Sequence, residues 1–116
     1  MTRHDDFVYF GHMMDLAHKA RQLLGDRDRD QYEADETLQY ALVHLIQTIG
    51  EAARHVSPEG RASRPGIPWH RIVGMRHRIV HFYLNVDIDI VWEVVSGDLA
   101  PLIAVLGTEH PEAESG

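Results

Sequence analysis

The chain has 116 residues, of which 44% are hydrophobic and none is cysteine, and its formal net charge is −7. That length suits one domain with a single modest core, and the lack of cysteine excludes both a disulfide framework and a thiolate metal site, which fits a reducing cytoplasm. No apolar run is long enough to cross a bilayer, and Met1-Thr2-Arg3-His4-Asp5-Asp6 lacks the apolar stretch of a signal peptide, so a soluble cytoplasmic protein with no membrane partner is expected.

Apolar residues recur at helical spacing almost throughout, and no run alternates with the period of two that a half-buried strand requires, so the fold is predicted to be all-α. A first helix is expected from Asp5 to Leu24, with Phe7, Phe10, Met14, Ala17 and Leu24 facing inward, ending at Gly25 before the charged turn Asp26 to Asp30. The second helix is the clearest. Leu38, Ala41, Leu42, Leu45, Ile49, Ala52, Ala53 and Val56 form one stripe that stops before Ser57-Pro58. Residues 57–68 hold three prolines and two glycines and read as a loop, with Pro68 suited to the first turn of a third helix. That helix is expected from Trp69 to Tyr83. Asn85 and Asp87 then turn the chain into a fourth, whose buried side is Ile88, Val91, Trp92, Val95, Leu99, Leu102 and Leu106, and which Pro101 should bend or restart. A single domain over residues 1–108 with a disordered polar tail over 109–116 is the expected organisation.

Charge is distributed unevenly. From Gly60 to Val86 there is no Asp or Glu, while Arg61, Arg64, Arg71, Arg76 and Arg78 supply five of the eleven basic residues, with His70, His77 and His81 among them. A locally basic segment in an acidic protein is either a solvated arginine-rich face or an anion site. On a helical wheel, Trp69, Ile72, Val73, Ile79, Val80 and Tyr83 share an apolar face with Arg76 at its centre, and His70, Gly74, His77 and His81 form a second stripe. A buried guanidinium without a partner costs several kcal/mol, so Arg76 on such a face needs an acid, an anion or an open cleft, and Glu51 on the second helix is one candidate acid.

The pair His77-x-x-x-His81 could share a metal ion, but Arg78 repels a cation and no acid lies in the segment to complete the coordination, so no metal and no other cofactor is expected. Arginine and histidine together can cleave RNA without a metal. A histidine moves the proton of a ribose 2′-hydroxyl or of the leaving oxygen, and an arginine holds the phosphate by bidentate hydrogen bonds that lysine cannot reproduce. The substrate supplies its own nucleophile, so DNA should be inert.

The run Gly74-Met75-Arg76-His77-Arg78-Ile79-Val80-His81-Phe82-Tyr83, with Ile67-Pro68-Trp69 before it, Val86-Asp87-Ile88-Asp89-Ile90-Val91-Trp92 after it and Ile49-Gly50-Glu51-Ala52-Ala53 on the second helix, closely resembles the HepT-like toxins of the HEPN superfamily. The resemblance extends from about Asp6 to Leu106. It implies a HEPN-like up-down bundle of four to five helices, a homodimer that brings two copies of the motif into one cleft, and metal-independent endoribonuclease activity in a toxin–antitoxin pair. Arg76 and His81 would be the catalytic residues of its Arg-x4-His motif, and His77, where relatives most often carry asparagine, would support them. Arg78, Arg71 and His70 are expected to contact RNA. The partner implied is a minimal nucleotidyltransferase antitoxin that silences the toxin by attaching AMP to a tyrosine two residues past the motif histidine, here Tyr83. A non-catalytic bundle that binds such a nucleotidyltransferase and presents nucleotide or substrate to it is the other reading the residues leave open.

Overall fold

The computed structural model describes the backbone of residues 4–81 and 85–107 and the side chains of residues 5–79 and 86–107. It is an all-α bundle, as the periodicity predicts. Helix α1, His4–Leu24, packs along α3, Glu36–Arg54, and against the C-terminal helix α8, Leu99–Leu106. Phe10, Ala17 and Leu24 are buried on α1 as expected, but Met13 and Ala20 complete the stripe, and Phe7 and Met14 lie at its edge. On α3 the buried set is Leu38, Leu42, Leu45, Ile49, Ala52 and Ala53, with Val43 and Ile46 beside them, and Ala41 is only half-buried. Each large apolar side chain withdrawn from water here contributes on the order of 1.5–3 kcal/mol.

The ends of these helices follow local chemistry. Gly25 adopts a φ of 61° after α1 and donates its N–H to the Arg21 carbonyl at 2.9 Å, a left-handed turn that glycine enters without a Cβ penalty. The charged turn holds a short helix, α2, Arg29–Glu33, closed by a reciprocal cap between Asp28 and Gln31. Tyr32 on α2 is fully buried and donates its hydroxyl to the Ile88 carbonyl at 2.6 Å, while Arg29 pairs with Asp89, so the turn is fastened to the start of the last helical segment. Asp35 caps α3 through the Leu38 N–H at 3.0 Å. The expected loop over residues 57–68 contains one more short helix, α4, Pro58–Ala62, capped by Ser57 with proline in its first turn.

The third helix departs most from expectation. It is broken into α5, Trp69–Val73, and α6, Met75–Ile79, with Gly74 between them as a turn. Glycine costs a helix interior about 1 kcal/mol relative to alanine, which makes it the place where the ladder yields. The helix also ends at Ile79 instead of running to Tyr83. Val80–His81 form strand β1 and pair antiparallel with Asn85–Val86, strand β2, in the register Val80 to Val86 and His81 to Asn85. Consecutive β-branched residues at Ile79 and Val80 favour that extended backbone. The Asp87 N–H closes the ribbon on the Ile79 carbonyl at 2.7 Å.

The last helical stretch runs as α7, Ile88–Glu93, a π-helical turn over Val94–Asp98, and α8. Pro101 has no N–H for the Gly97 carbonyl, and the wider π turn lies directly ahead of it, which is the restart that the proline predicts. Val91, Val95, Leu99, Leu102 and Leu106 are buried, and Ile88 and Trp92 are half-buried. Among the described residues no helix is long and apolar enough to cross a membrane. The tail over 109–116 and Tyr83 lie outside the described residues.

Candidate functional site

The close packing of α5 on α3 sets the position of the basic segment. A Cβ at Gly50 would meet the Ile72 carbonyl oxygen at 2.9 Å, so glycine at 50 is what lets the two backbones approach. Trp69 is buried beneath, and its indole N–H donates to the carbonyls of Arg61 and Arg64, both at 3.1 Å, tying the preceding loop to α5. Ile72, Met75 and Ile79 then face the core from the two short helices.

This arrangement corrects the placement of Arg76. It is exposed, not centred on the apolar face, because Met75 takes the inward position between Ile72 and Ile79, and Val80, counted on that face, belongs to β1. Glu51 is not its partner: it accepts from Arg54 at 3.0 Å and lies 3.5 Å from His55, and the Arg54 hydrogen bond holds its carboxyl below the usual range. Among the described residues Arg76 has no hydrogen-bond or ion-pair partner. His77 and His70 are exposed as well. The single helical histidine stripe does not form, since His81 belongs to β1 and its backbone, two residues beyond the end of α6, is extended.

The five arginines of the acid-free segment divide into three groups. Arg64 is 7% exposed and stands over the Phe10 ring at 5.1 Å, and Arg61 donates to the Ala53 carbonyl at 3.3 Å and lies over Trp69. Those two hold the loop against the bundle. Arg71 and Arg78 border a groove of about 180 Å³ between α5–α6 and the π turn with α8, whose floor is Ile72, Met75, Leu99 and Leu102. Arg76 and His77 do not line that groove, so the residues expected to act on RNA fall on two sides of α6. Asp98 lines the same groove and was not singled out by the sequence, where it reads as an ordinary polar position before a proline-containing helix. Among the described residues no three His, Asp or Glu side chains stand close enough to share a metal ion.

The chemical content of the α6–β1 segment is therefore an unpaired guanidinium and an adjacent imidazole facing solvent, with a second histidine placed just after the helix by a change to extended backbone. Such groups can bind a phosphate and move a proton. The side chain of His81 and the whole of Tyr83 fall outside the described residues.

A family model described as "Ribonuclease HepT-like" matches residues 13–108. The chain is 25% identical over 99 residues to a protein of Methanocaldococcus jannaschii named "Putative RNase MJ1380", covering 85% of this chain and 91% of that one. It is 30% identical over 100 residues to "Gamma-glutamylcyclotransferase and putative RNase MJ0434" of the same organism, covering 86% of this chain but 45% of that one. With "Probable ribonuclease HepT" of Thermococcus cleftensis it shares 29% identity over 73 residues, covering 63% and 66% of the two chains. It thus spans nearly all of the first relative, less than half of the second and about two thirds of the third. No solved structure matches it. The family match begins inside α1 and passes through every later element, and on that ground the chain belongs to the HepT-like ribonuclease family, within the HEPN proteins.

Proposed function

We propose that this chain is the metal-independent endoribonuclease toxin of a toxin–antitoxin pair, acting as a homodimer on RNA. The observation that carries the reading is Arg76: an exposed guanidinium without a partner among the described residues, on a segment free of acid, five residues before a histidine and in a family named for ribonucleases. Arg76 holds the scissile phosphate and stabilises the charge that builds on it in the transition state. His81 moves the proton, taking it from the ribose 2′-hydroxyl or giving it to the departing 5′-oxygen. The 2′-oxygen forms a bond to phosphorus as the bond to the 5′-oxygen breaks, leaving a 2′,3′-cyclic phosphate and a 5′-hydroxyl. His77 assists as a neighbouring polar group, and Arg71, Arg78 and His70 contact the RNA around the cut. A second copy completes the cleft. The neutralising partner is a nucleotidyltransferase that attaches AMP to Tyr83, adding negative charge and bulk two residues from His81.

Purified protein, free of adenylylation by intact mass, is expected to cut single-stranded RNA in EDTA and to leave deoxyribose substrates whole. Arg76→Ala and His81→Ala should each reduce the rate at least 100-fold. Full activity in His81→Ala would rule the mechanism out. Co-expression with the nucleotidyltransferase should raise the intact mass in steps of one AMP, and Tyr83→Phe should abolish those steps.

A further inference from the structure

The groove between α5–α6 and the π turn with α8 has an apolar floor and a carboxylate that the catalytic reading does not use. Its lining carries three charged side chains, Arg71, Arg78 and Asp98. Among the described residues none of the three makes an ion pair or hydrogen bond with another, or with anything else. Asp98 ends the π-helical turn with helical backbone angles, so its carboxylate has no helix start to cap and faces the groove and solvent. Three charges around one groove with no mutual pairing are placed to meet something other than one another.

We infer that this groove is a nucleobase subsite for a guanine of single-stranded RNA, resting on the reading of the chain as an RNA-cleaving protein. The volume, about 180 Å³, equals the liquid volume of about six waters, room for one planar ring system and too little for a folded segment. Apolar walls and guanidinium planes are the surfaces on which an unstacked base is held. The polar groups select among bases. Guanine alone carries two adjacent N–H donors on its pairing edge, at N1 and N2, which suit the two oxygens of one carboxylate, here Asp98. Its O6 and N7 are paired acceptors for an arginine fork, which Arg78 or Arg71 supplies while the other guanidinium takes a flanking phosphate. Adenine, cytosine and uracil each lack the double donor. Arg78 lies two residues from Arg76 on α6, a rise of about 3 Å but about 200° around the helix, so a strand that seats its guanine in the groove reaches the phosphate held by Arg76 by passing around α6.

The test separates this subsite from the catalytic reading. Guanosine, adenosine, cytidine and uridine 5′-monophosphates are titrated against wild-type protein and Asp98→Asn by two-dimensional NMR, with UUGUU and UUAUU oligoribonucleotides alongside, all in the His81→Ala background. Guanosine monophosphate is expected to bind at least fivefold more tightly than the others and to shift amides of residues 66–79 and 94–105. UUGUU should bind more tightly than UUAUU by a similar factor, and Asp98→Asn should erase both preferences. Equal binding of all four nucleotides, no binding, or a guanine preference that survives Asp98→Asn would overturn the proposal. A preference for the free nucleotide without one between the oligonucleotides would overturn the RNA assignment. Cleavage by wild type is read separately: cutting with no guanine near the cut sites sinks the subsite and leaves the ribonuclease standing, whereas Asp98-dependent guanine binding with no cleavage does the reverse.

Discussion

At the scale of single residues, the strongest polar anchor lies at the start of the first helix. Asp6 is 1% exposed and accepts from the Ser57 N–H at 2.8 Å and the Ser57 hydroxyl at 2.6 Å, while the Ser57 oxygen accepts from the Gly60 N–H at 3.1 Å. One carboxylate therefore joins the beginning of α1 to the cap of α4, 51 positions away. Hydrogen bonds to a charged group contribute about 1.5–3 kcal/mol each, and removing the acceptor leaves buried donors unsatisfied. Asp6→Ala should lower stability by about 2–4 kcal/mol, read as a shift in the urea midpoint at unchanged slope, and Asp6→Asn by less because it keeps an acceptor. Tyr32 gives a second handle, in pH. Burial is the main cause that pushes its hydroxyl up from 10.0 to about 12, against a lowering by Arg29. The folded state then keeps a proton that the unfolded chain has lost, so this contribution is whole below pH 10 and disappears as pH rises towards 12. Tyrosinate absorbance should show one late transition near pH 12 that Tyr32→Phe removes, and a titration without it would mean that the ring is open to water.

At the scale of elements, how much the sequence disclosed depended on how many residues voted for one phase. The stripes on α1 and α3 span five turns or more, so a single misplaced residue such as Ala41 did not alter the outcome. The segment from Trp69 to Tyr83 fits a continuous wheel equally well on paper, and periodicity has no means of registering a turn at Gly74 or the change to extended backbone at Val80. Residue types at the site were visible, but which side each one faces was not, because the apolar face was drawn with Val80, which belongs to β1, and without Met75, which is buried. Hence Arg76 was expected among apolar neighbours and is exposed, and Arg71 and Arg78 turn out to share a groove that Arg76 does not line. Pro101 announced an interruption, but periodicity does not say that it takes the form of a π turn over the residues just before it. The junction that sets α5 in place can be tested directly. Gly50→Ala puts a methyl 2.9 Å from the Ile72 carbonyl, a backbone atom that cannot swing aside. The substitution should cost about 1–3 kcal/mol, the range for overpacking, and should reduce RNA cleavage more than a surface control such as Gly11→Ala, whose Cβ meets nothing. Equal effects of the two would show that α5 is free to move away from α3.

At the scale of the whole molecule, a protein of net charge −7 is asked to attract a polyanion, and the distribution of charge decides whether it can. Two of the five arginines in the acid-free segment hold the loop against Phe10, Trp69 and the Ala53 carbonyl, which leaves Arg71, Arg76 and Arg78 for phosphates. Beyond about 8 Å in physiological salt the acidic remainder is largely screened, so a local contact of three guanidiniums can prevail over the long-range repulsion. Binding to a single strand loses affinity with salt in proportion to the phosphates neutralised, with a slope in the logarithmic plot of about −0.7 per contact. Three contacts give a slope of about −2 for each chain, far shallower than that of a basic nucleic-acid-binding protein. Measured by fluorescence anisotropy with a guanine-free single strand on the His81→Ala background, so that the RNA stays whole and both Arg71 and Arg78 are free for phosphates, the slope should become shallower by about 0.7 when Arg76→Ala is added, and by a similar step for Arg78→Ala. Because Arg76 and Arg78 serve different sides of α6, the two losses should add. A wild-type slope near zero, or one that Arg76→Ala leaves untouched, would mean that the exposed guanidinium of α6 does not meet the RNA backbone.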